Sequence, residues 1–188
     1  GELLLRLDDE TVNNNIEKEE EQLTLSKNQL ENAISNLEIA EKRRDTNVSQ
    51  AQLKIDLAKL DLEAWQHGDV VSRRKTLQLN LETAEKDYSR LRLNYQKSIE
   101  LKEKNFISQN ELDQDEISMI RAKATWEQAV LAEEVYENYT YKKDKQIKES
   151  NLSMAEEEYT RIVRREEANV SGNKSNVEAF EEGYANRQ

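Results

Sequence analysis

Proline and cysteine are absent from this sequence of 188 residues, and glycine occurs only 4 times. An interior proline costs a helix about 3 kcal/mol, so its absence favours long, uninterrupted helices. The lack of cysteine excludes disulfides, thiolate metal sites and cysteine nucleophiles. No apolar run approaches the roughly 18 residues of a membrane span, and no N-terminal signal segment is recognisable. Because the sequence begins with Gly1 rather than Met, we expect it to belong to a longer chain, with any signal or anchor outside it.

Acidic residues outnumber basic ones, and the net charge is −11. This balance argues against a nucleic-acid-binding surface and against binding to an anionic membrane, both of which need clustered basic residues. Charged residues make up 36% of the chain and hydrophobic residues another 36%. Such a chain cannot fill a thick core, but it can bury a narrow stripe between paired helices.

Apolar residues recur at spacings of three and four along most of the chain, which predicts an all-α protein whose helices pair as a coiled coil. We call this row of residues the seam. Where the row passes through Ala40, Arg44 and Val48 the spacing is four and four, which predicts a stutter that locally unwinds the coil. The seam before the turn comprises Leu30, Ala33, Leu37, Ala40, Val48, Ala51, Ile55, Ala58, Leu62, Trp65, Leu77, Leu81, Ala84, Tyr88, Leu91, Tyr95 and Ser98.

The pattern divides the chain into a short strand and two helical arms. We predict a strand over 1–8, an ascending arm over 9–102, a tip over 103–107 and a descending arm over 108–188. A break is expected near 67–69, with Gly68 in a left-handed cap and Asp69 capping the next helix. A second break is possible near 139–142, at the same distance from the tip, so the two breaks should face each other.

The descending arm carries its own apolar face. Its predicted seam is Met119, Ala122, Trp126 and Ala129, widened by Ile117, Ile120, Ala124 and Leu131, and continued by Ile147, Leu152, Ala155, Tyr159 and Ile162. After Asn169 the pattern fades, and Gly172 and Gly183 weaken the helix prediction further. The predicted architecture is therefore a long, segmented, antiparallel coiled-coil hairpin.

The segment from Lys102 to Ile107 is the sharpest predicted turn. Asn105 tolerates the left-handed conformation that ends a helix. Ser108 and Glu111 then have the spacing of a capping box, and Ile107 and Leu112 that of a hydrophobic staple. We therefore expect a helix to start directly after Ser108.

Residues that could support catalysis lack a suitable context. His67 is the single histidine and has no convergent metal ligands, and the paired glutamates belong to solvated helix faces. No glycine-rich phosphate loop is present. We therefore expect neither enzymatic activity nor a cofactor or metal. The aromatic residues are expected to pack between helices rather than form a ligand site.

Two segments resemble the HlyD-like membrane fusion proteins, which are periplasmic adaptors. The segment Gly1-Glu2-Leu3-Leu4-Leu5-Arg6-Leu7-Asp8 is similar to the end of the family's first lipoyl half-motif. The segment Phe106-Ile107-Ser108-Gln109-Asn110-Glu111-Leu112-Asp113-Gln114 is similar to the family's hairpin tip. In channel-docking members the tip carries Arg, Leu and Ser at the positions that correspond here to Lys97, Leu101 and Ser108. Lys97 keeps the charge but lacks the planar fork of arginine.

The resemblance implies a role in tripartite efflux or type I secretion. The hairpin would span the periplasm and dock onto a TolC-like outer-membrane channel through Lys97, Leu101 and Ser108. Phe106, a large aromatic residue in the turn, either packs under the turn or joins this docking surface, and Leu101 either closes the coiled coil or docks. Ser108 would serve as helix cap, as channel contact, or as both. Regions outside the sequence would anchor the protein in the inner membrane and contact the transporter, and the full-length protein would assemble into a ring, commonly a hexamer. The alternative is a coiled-coil scaffold or tether without a channel partner.

Overall fold

The computed structural model describes residues 10–187, and within this range all regular structure is helical. The α-helices are α1 (Glu10–Ala64), α2 (Val70–Glu103), α3 (Gln109–Val135) and α4 (Tyr141–Ala185). Two π-helical segments complete the set: the first π segment, Trp65–Asp69, and the second π segment, Tyr136–Thr140. The strand predicted over 1–8 lies outside the described residues. The prediction of an all-α protein with long paired helices is confirmed.

The chain forms two compact units. Unit 1 comprises residues 1–55 and 154–188, and unit 2 comprises residues 56–153. In unit 1 the described parts of α1 and α4 run antiparallel: Asn47 bonds to Glu166, and Arg187 bonds to Gln22. Because the partner numbers rise on one helix as they fall on the other, these contacts define the direction of pairing.

Unit 2 is a helical hairpin whose turn joins α2 to α3. Contacts between its arms include Asp61 with Lys148, Trp65 with Tyr141, Arg74 with Glu137, Tyr88 with Trp126, and Ser98 with Asp115. The stacked pair Tyr88 and Trp126 has ring centroids 5.6 Å apart. The expected packing of aromatic residues between helices is confirmed for these two residues and for Trp65.

Every seam residue predicted before the turn is buried or half-buried, because this face of the ascending helices packs against the descending helices. The most buried apolar members are Ala51, Leu77, Ile55, Ala33, Trp65 and Ala84, and Val70, which the predicted seam did not include, is buried as well. Alanine at several of these positions permits close approach of the helices, because its side chain is short. The core is therefore a narrow stripe, as the composition predicts.

Neither predicted break has the expected structure. Gly68 is not left-handed and Asp69 makes no capping bond, because the backbone continues in helical geometry through the first π segment. The break near 139–142 is likewise replaced by the second π segment, which leads directly into α4. Since i→i+5 bonds accommodate one additional residue, the helix absorbs the irregular spacing without ending. The two places do lie next to each other, as expected.

The descending arm differs from its prediction in two further respects. The helix does not fade after Asn169: α4 continues through Gly172 and Gly183 to Ala185, with Val177 buried. Tertiary pairing outweighs the helix penalty of glycine, which is about 1 kcal/mol. The apolar face is also narrower than predicted, because several of its expected members are largely exposed: Ile117, Ile120, Ala124, Leu131 and Ile147.

Candidate functional site

The turn between α2 and α3 is closed by backbone bonds at the end of α2. Asn105 has φ 57° and so takes the left-handed conformation expected from the sequence. Its N–H donates to the carbonyl of Lys102 at 2.9 Å, and the N–H of Phe106 donates to the carbonyl of Leu101 at 2.9 Å. This pair of bonds is a Schellman motif, which satisfies carbonyls at the helix end and fixes the direction in which the chain leaves.

The same turn is closed on its other side by the predicted capping box. The Ser108 hydroxyl accepts from the backbone N–H of Glu111 at 3.2 Å and donates to the Glu111 carboxylate at 2.8 Å. The backbone N–H of Ser108 donates to the same carboxylate at 2.7 Å. These bonds from the Ser108 backbone and side chain lower the pKa of Glu111. Ile107 and Leu112 are half-buried at the positions of the predicted hydrophobic staple.

The four residues predicted to dock lie at this end of unit 2. Phe106 is 72% exposed in the turn, and Leu101 is 41% exposed in the last turn of α2. Lys97 is exposed one helical turn before Leu101, and residues four apart share a helix face. Ser108 is exposed but uses its hydroxyl in the capping box. The structure thus brings an apolar pair, a cation and a helix cap to one end of the hairpin.

A polar contact joins the two arms close to the tip. Ser98 is buried, and its hydroxyl donates to the Asp115 carboxylate on the opposite arm. Tyr95, one turn earlier, lies close to Glu116, and partial burial raises the pKa of the Tyr95 phenol. The last turns of α2 are therefore tied to the first turns of α3 by polar side chains as well as by the loop.

An aromatic cluster lies where the two π segments meet. Trp65 stacks on Tyr141 with centroids 5.5 Å apart, and Arg74 lies 4.7 Å from the centroid of the same Tyr141 ring. Arg74 also donates two hydrogen bonds, at 2.7 and 2.8 Å, to the two carboxylate oxygens of Glu137. This interaction lowers the pKa of Glu137 and raises that of Arg74. A groove of about 530 Å³ beside the cluster is lined by Trp65, Asp69, Arg73, Ala132, Val135, Tyr136, Thr140 and Asp144.

Unit 1 contains a buried carboxylate on its seam. Glu166 is 1% exposed, and its Oε1 accepts from Asn47 at 2.9 Å and from two Arg165 nitrogens at 2.7 and 3.1 Å. These hydrogen bonds, that from Arg165 above all, lower the pKa of Glu166. The bonds compensate part of the desolvation of the charge, so this site has a structural explanation.

Sequence reasoning did not identify Arg74, Glu137, Asp115 or the Asn47–Glu166 pair as points of contact. Each of these residues is polar, whereas the seam is defined by the spacing of apolar residues. Asn47 directly precedes the seam residue Val48, so the heptad pattern indicates that it lies near the helix interface. The pattern does not indicate which residue of the other helix it contacts.

No helix within residues 10–187 is long and apolar enough to cross a membrane. In the same range, no three His, Asp or Glu side chains are placed to hold a metal ion. Comparisons with protein-family models, curated proteins and solved structures gave no match. The features of this chain that bear on function are therefore the hairpin tip and the two segments that resemble the adaptor family.

Proposed function

We propose that this chain is the α-helical hairpin of a periplasmic adaptor related to the HlyD-like membrane fusion proteins. In this proposal the hairpin belongs to a tripartite efflux or type I secretion system, and its tip docks onto a TolC-like outer-membrane channel. The inner-membrane anchor and the contacts with the transporter would lie in regions outside this chain. The hairpin performs no chemistry and acts as a spacer and docking element.

The observation that carries the proposal is the apolar tip between two capped helix ends. Phe106 lies in the turn between the two helices, and its side chain is 72% exposed to solvent. Here the Schellman motif and the capping box hold the backbone on both sides of Phe106, so the position of its Cα is defined. Pre-organisation lowers the entropic cost of binding, and exposed aromatic residues are frequent anchors at protein interfaces.

Exposed apolar rows on both arms of unit 2 support lateral assembly of the full-length protein. Leu57 and Leu60 lie on α1 away from the seam, and Leu131 and Val135 lie on α3 away from the seam. These four side chains are 44–61% exposed. In the proposed ring, an apolar surface of a neighbouring copy would cover each of these rows.

The test uses the absence of cysteine from the chain. Single substitutions Leu101→Cys, Phe106→Cys and Ser108→Cys are made in the full-length protein, which is then crosslinked in cells. Glu38→Cys, at an exposed position of α1 in unit 1, is the matched control. We expect the tip positions to capture an outer-membrane channel and the Glu38 position to capture none.

The scaffold alternative predicts a different result. If the tip cysteines capture nothing, or only further copies of the same protein, docking onto a channel through this tip is wrong. A coiled-coil tether without a channel partner would then explain the long helices better.

A further inference from the structure

We infer that Ser108, although exposed, acts through its capping bonds to position the tip, and that Phe106 together with Leu101 forms the surface that touches the channel. This inference rests on the proposed docking function and assigns different roles to residues of the same site. The sequence alone leaves Ser108 as a cap, a contact or both. The hydrogen bonds of the tip separate these possibilities.

The hydroxyl proton of Ser108 is used within the chain, and the hydroxyl oxygen already accepts one hydrogen bond. A serine hydroxyl has one proton to donate, and here that proton goes to the Glu111 carboxylate at 2.8 Å. The same oxygen accepts from the Glu111 backbone N–H at 3.2 Å, and the Ser108 backbone N–H is also bonded to Glu111. If the Ser108 hydroxyl donated to a channel, its bond to Glu111 would break. The new hydrogen bond would only replace the one lost from the cap, so the contact would add little binding free energy.

Phe106 has the opposite character. Its backbone is fixed by the bond from its N–H to the Leu101 carbonyl, whereas its side chain is 72% exposed. The Schellman motif generally places the side chains at these two positions near each other, and Leu101 is 41% exposed. Covering this pair on docking removes apolar surface from water without first ordering the backbone.

The experiment separates capping from contact by substitutions at and beside Ser108. Lys104→Cys, at an exposed position of the turn, reports capture of the channel while leaving all four predicted docking residues in place. In this background Ser108→Ala removes the cap, and Ser108→Asp keeps an acceptor for the helix N-terminus but has no hydroxyl proton. Glu111→Ala leaves the Ser108 hydroxyl in place and removes its reciprocal partner.

If Ser108 positions the tip, Ser108→Ala and Glu111→Ala should each reduce capture about fivefold, and Ser108→Asp should restore most of it. Phe106→Ala should reduce capture more than any other single substitution, while Phe106→Leu should retain more of it. Circular dichroism of each variant checks that the helices are intact.

Two results would overturn the inference. Equal loss in Ser108→Ala and Ser108→Asp, with full capture in Glu111→Ala, would assign the hydroxyl to the channel contact. Full capture in Phe106→Ala would remove Phe106 from the contact surface. Absence of channel capture by Lys104→Cys in the otherwise unchanged protein would instead refute the docking function itself, so the two failures are distinguishable.

Discussion

Trp65 and Tyr141 stack across the two arms of unit 2, with ring centroids 5.5 Å apart and planes 15° from parallel. Each ring stands at the edge of a π segment: Trp65 begins the first, and Tyr141 directly follows the second. The pair therefore joins the two irregular places of the hairpin, where the regular seam is interrupted. Because Trp65 is buried, this contact should contribute strongly to the stability of unit 2.

Replacing Trp65 by alanine should lower the free energy of unfolding by about 3 kcal/mol, through lost burial and a residual cavity. Denaturant unfolding followed by circular dichroism measures the effect. Tyr139→Ala is the matched control, because Tyr139 lies in the second π segment and is 71% exposed. We expect the control to change stability by less than about 0.5 kcal/mol. Equal effects of the two substitutions would contradict a specific role of the stack.

Replacing Arg74 by lysine should lower the stability of unit 2. Its guanidinium makes two bonds to Glu137 and lies over the Tyr141 ring, whereas a lysine ammonium cannot match the two carboxylate oxygens. Both charged groups are partly exposed to solvent, so Arg74→Lys should cost only about 1 kcal/mol of stability. The neighbouring exposed residue offers the control substitution Arg73→Lys, which should be near neutral in the same unfolding experiment. A neutral result at both positions would mean that the fork and the stacking add nothing.

The Arg74–Glu137 pair also predicts a dependence of stability on pH. Hydrogen bonding to Arg74 lowers the pKa of Glu137 below its ordinary value of 4.5. The resulting stabilisation is complete above that ordinary value and is lost as the pH falls through the lower, native pKa. Urea unfolding at pH 7 and at several values below pH 4.5 should therefore show that Glu137→Gln loses less stability on acidification than the unchanged protein. Glu134→Gln, an exposed neighbour, should behave like the unchanged protein.

The buried Glu166 predicts opposite outcomes for single and double substitutions. Asn47→Ala should lower the melting temperature, because it removes a donor from a carboxylate that is 1% exposed. Replacing both residues by leucine should raise the melting temperature or leave it unchanged, since the desolvated charge disappears as well. Calorimetry on the three proteins tests this expectation. A double variant less stable than Asn47→Ala would show that the polar pair is favourable in itself.

Asn105 predicts the effect of backbone strain at the tip. With φ 57°, this residue occupies a conformation that costs an ordinary L-residue about 1 kcal/mol and costs glycine nothing. Asn105→Ala should therefore destabilise unit 2 by about 1 kcal/mol, while Asn105→Gly should be neutral or slightly stabilising. Thermal unfolding of the two variants side by side distinguishes this explanation from loss of a side-chain contact, which would affect both alike.

The regular features of the fold could be predicted from the sequence because they depend on local patterns. The spacing from Leu77 to Ser98 identified seam positions that are buried or half-buried, and Ser108 with Glu111 identified a helix start that the hydrogen bonds confirm. Capping chemistry acts within a few residues, so the sequence contains all of its partners. The same holds for the left-handed Asn105.

The features that escaped prediction depend on contacts between distant residues. The local sequence at Gly68 and Asp69 predicts the end of one helix and the start of the next. In the structure the helical backbone is continuous there, and Trp65 stacks on Tyr141 of the other arm. Glycine at 172 and 183 likewise lowers local helix propensity, and α4 nevertheless continues past both. For the residues proposed to dock, the sequence indicated their place at the turn but not which side chain is exposed and which is already hydrogen-bonded.

The two π segments also keep the two arms of unit 2 matched in length. Trp65 and Val70 lie five positions apart and are both buried, and on the other arm Tyr136 is buried and Tyr141, five positions later, is half-buried. Each π turn contains one residue more than a regular α-helical turn. An extra residue in one arm alone would leave the two arms unequal below that point, and the extra residue in the other arm restores the match. The two π segments therefore preserve the register between the arms.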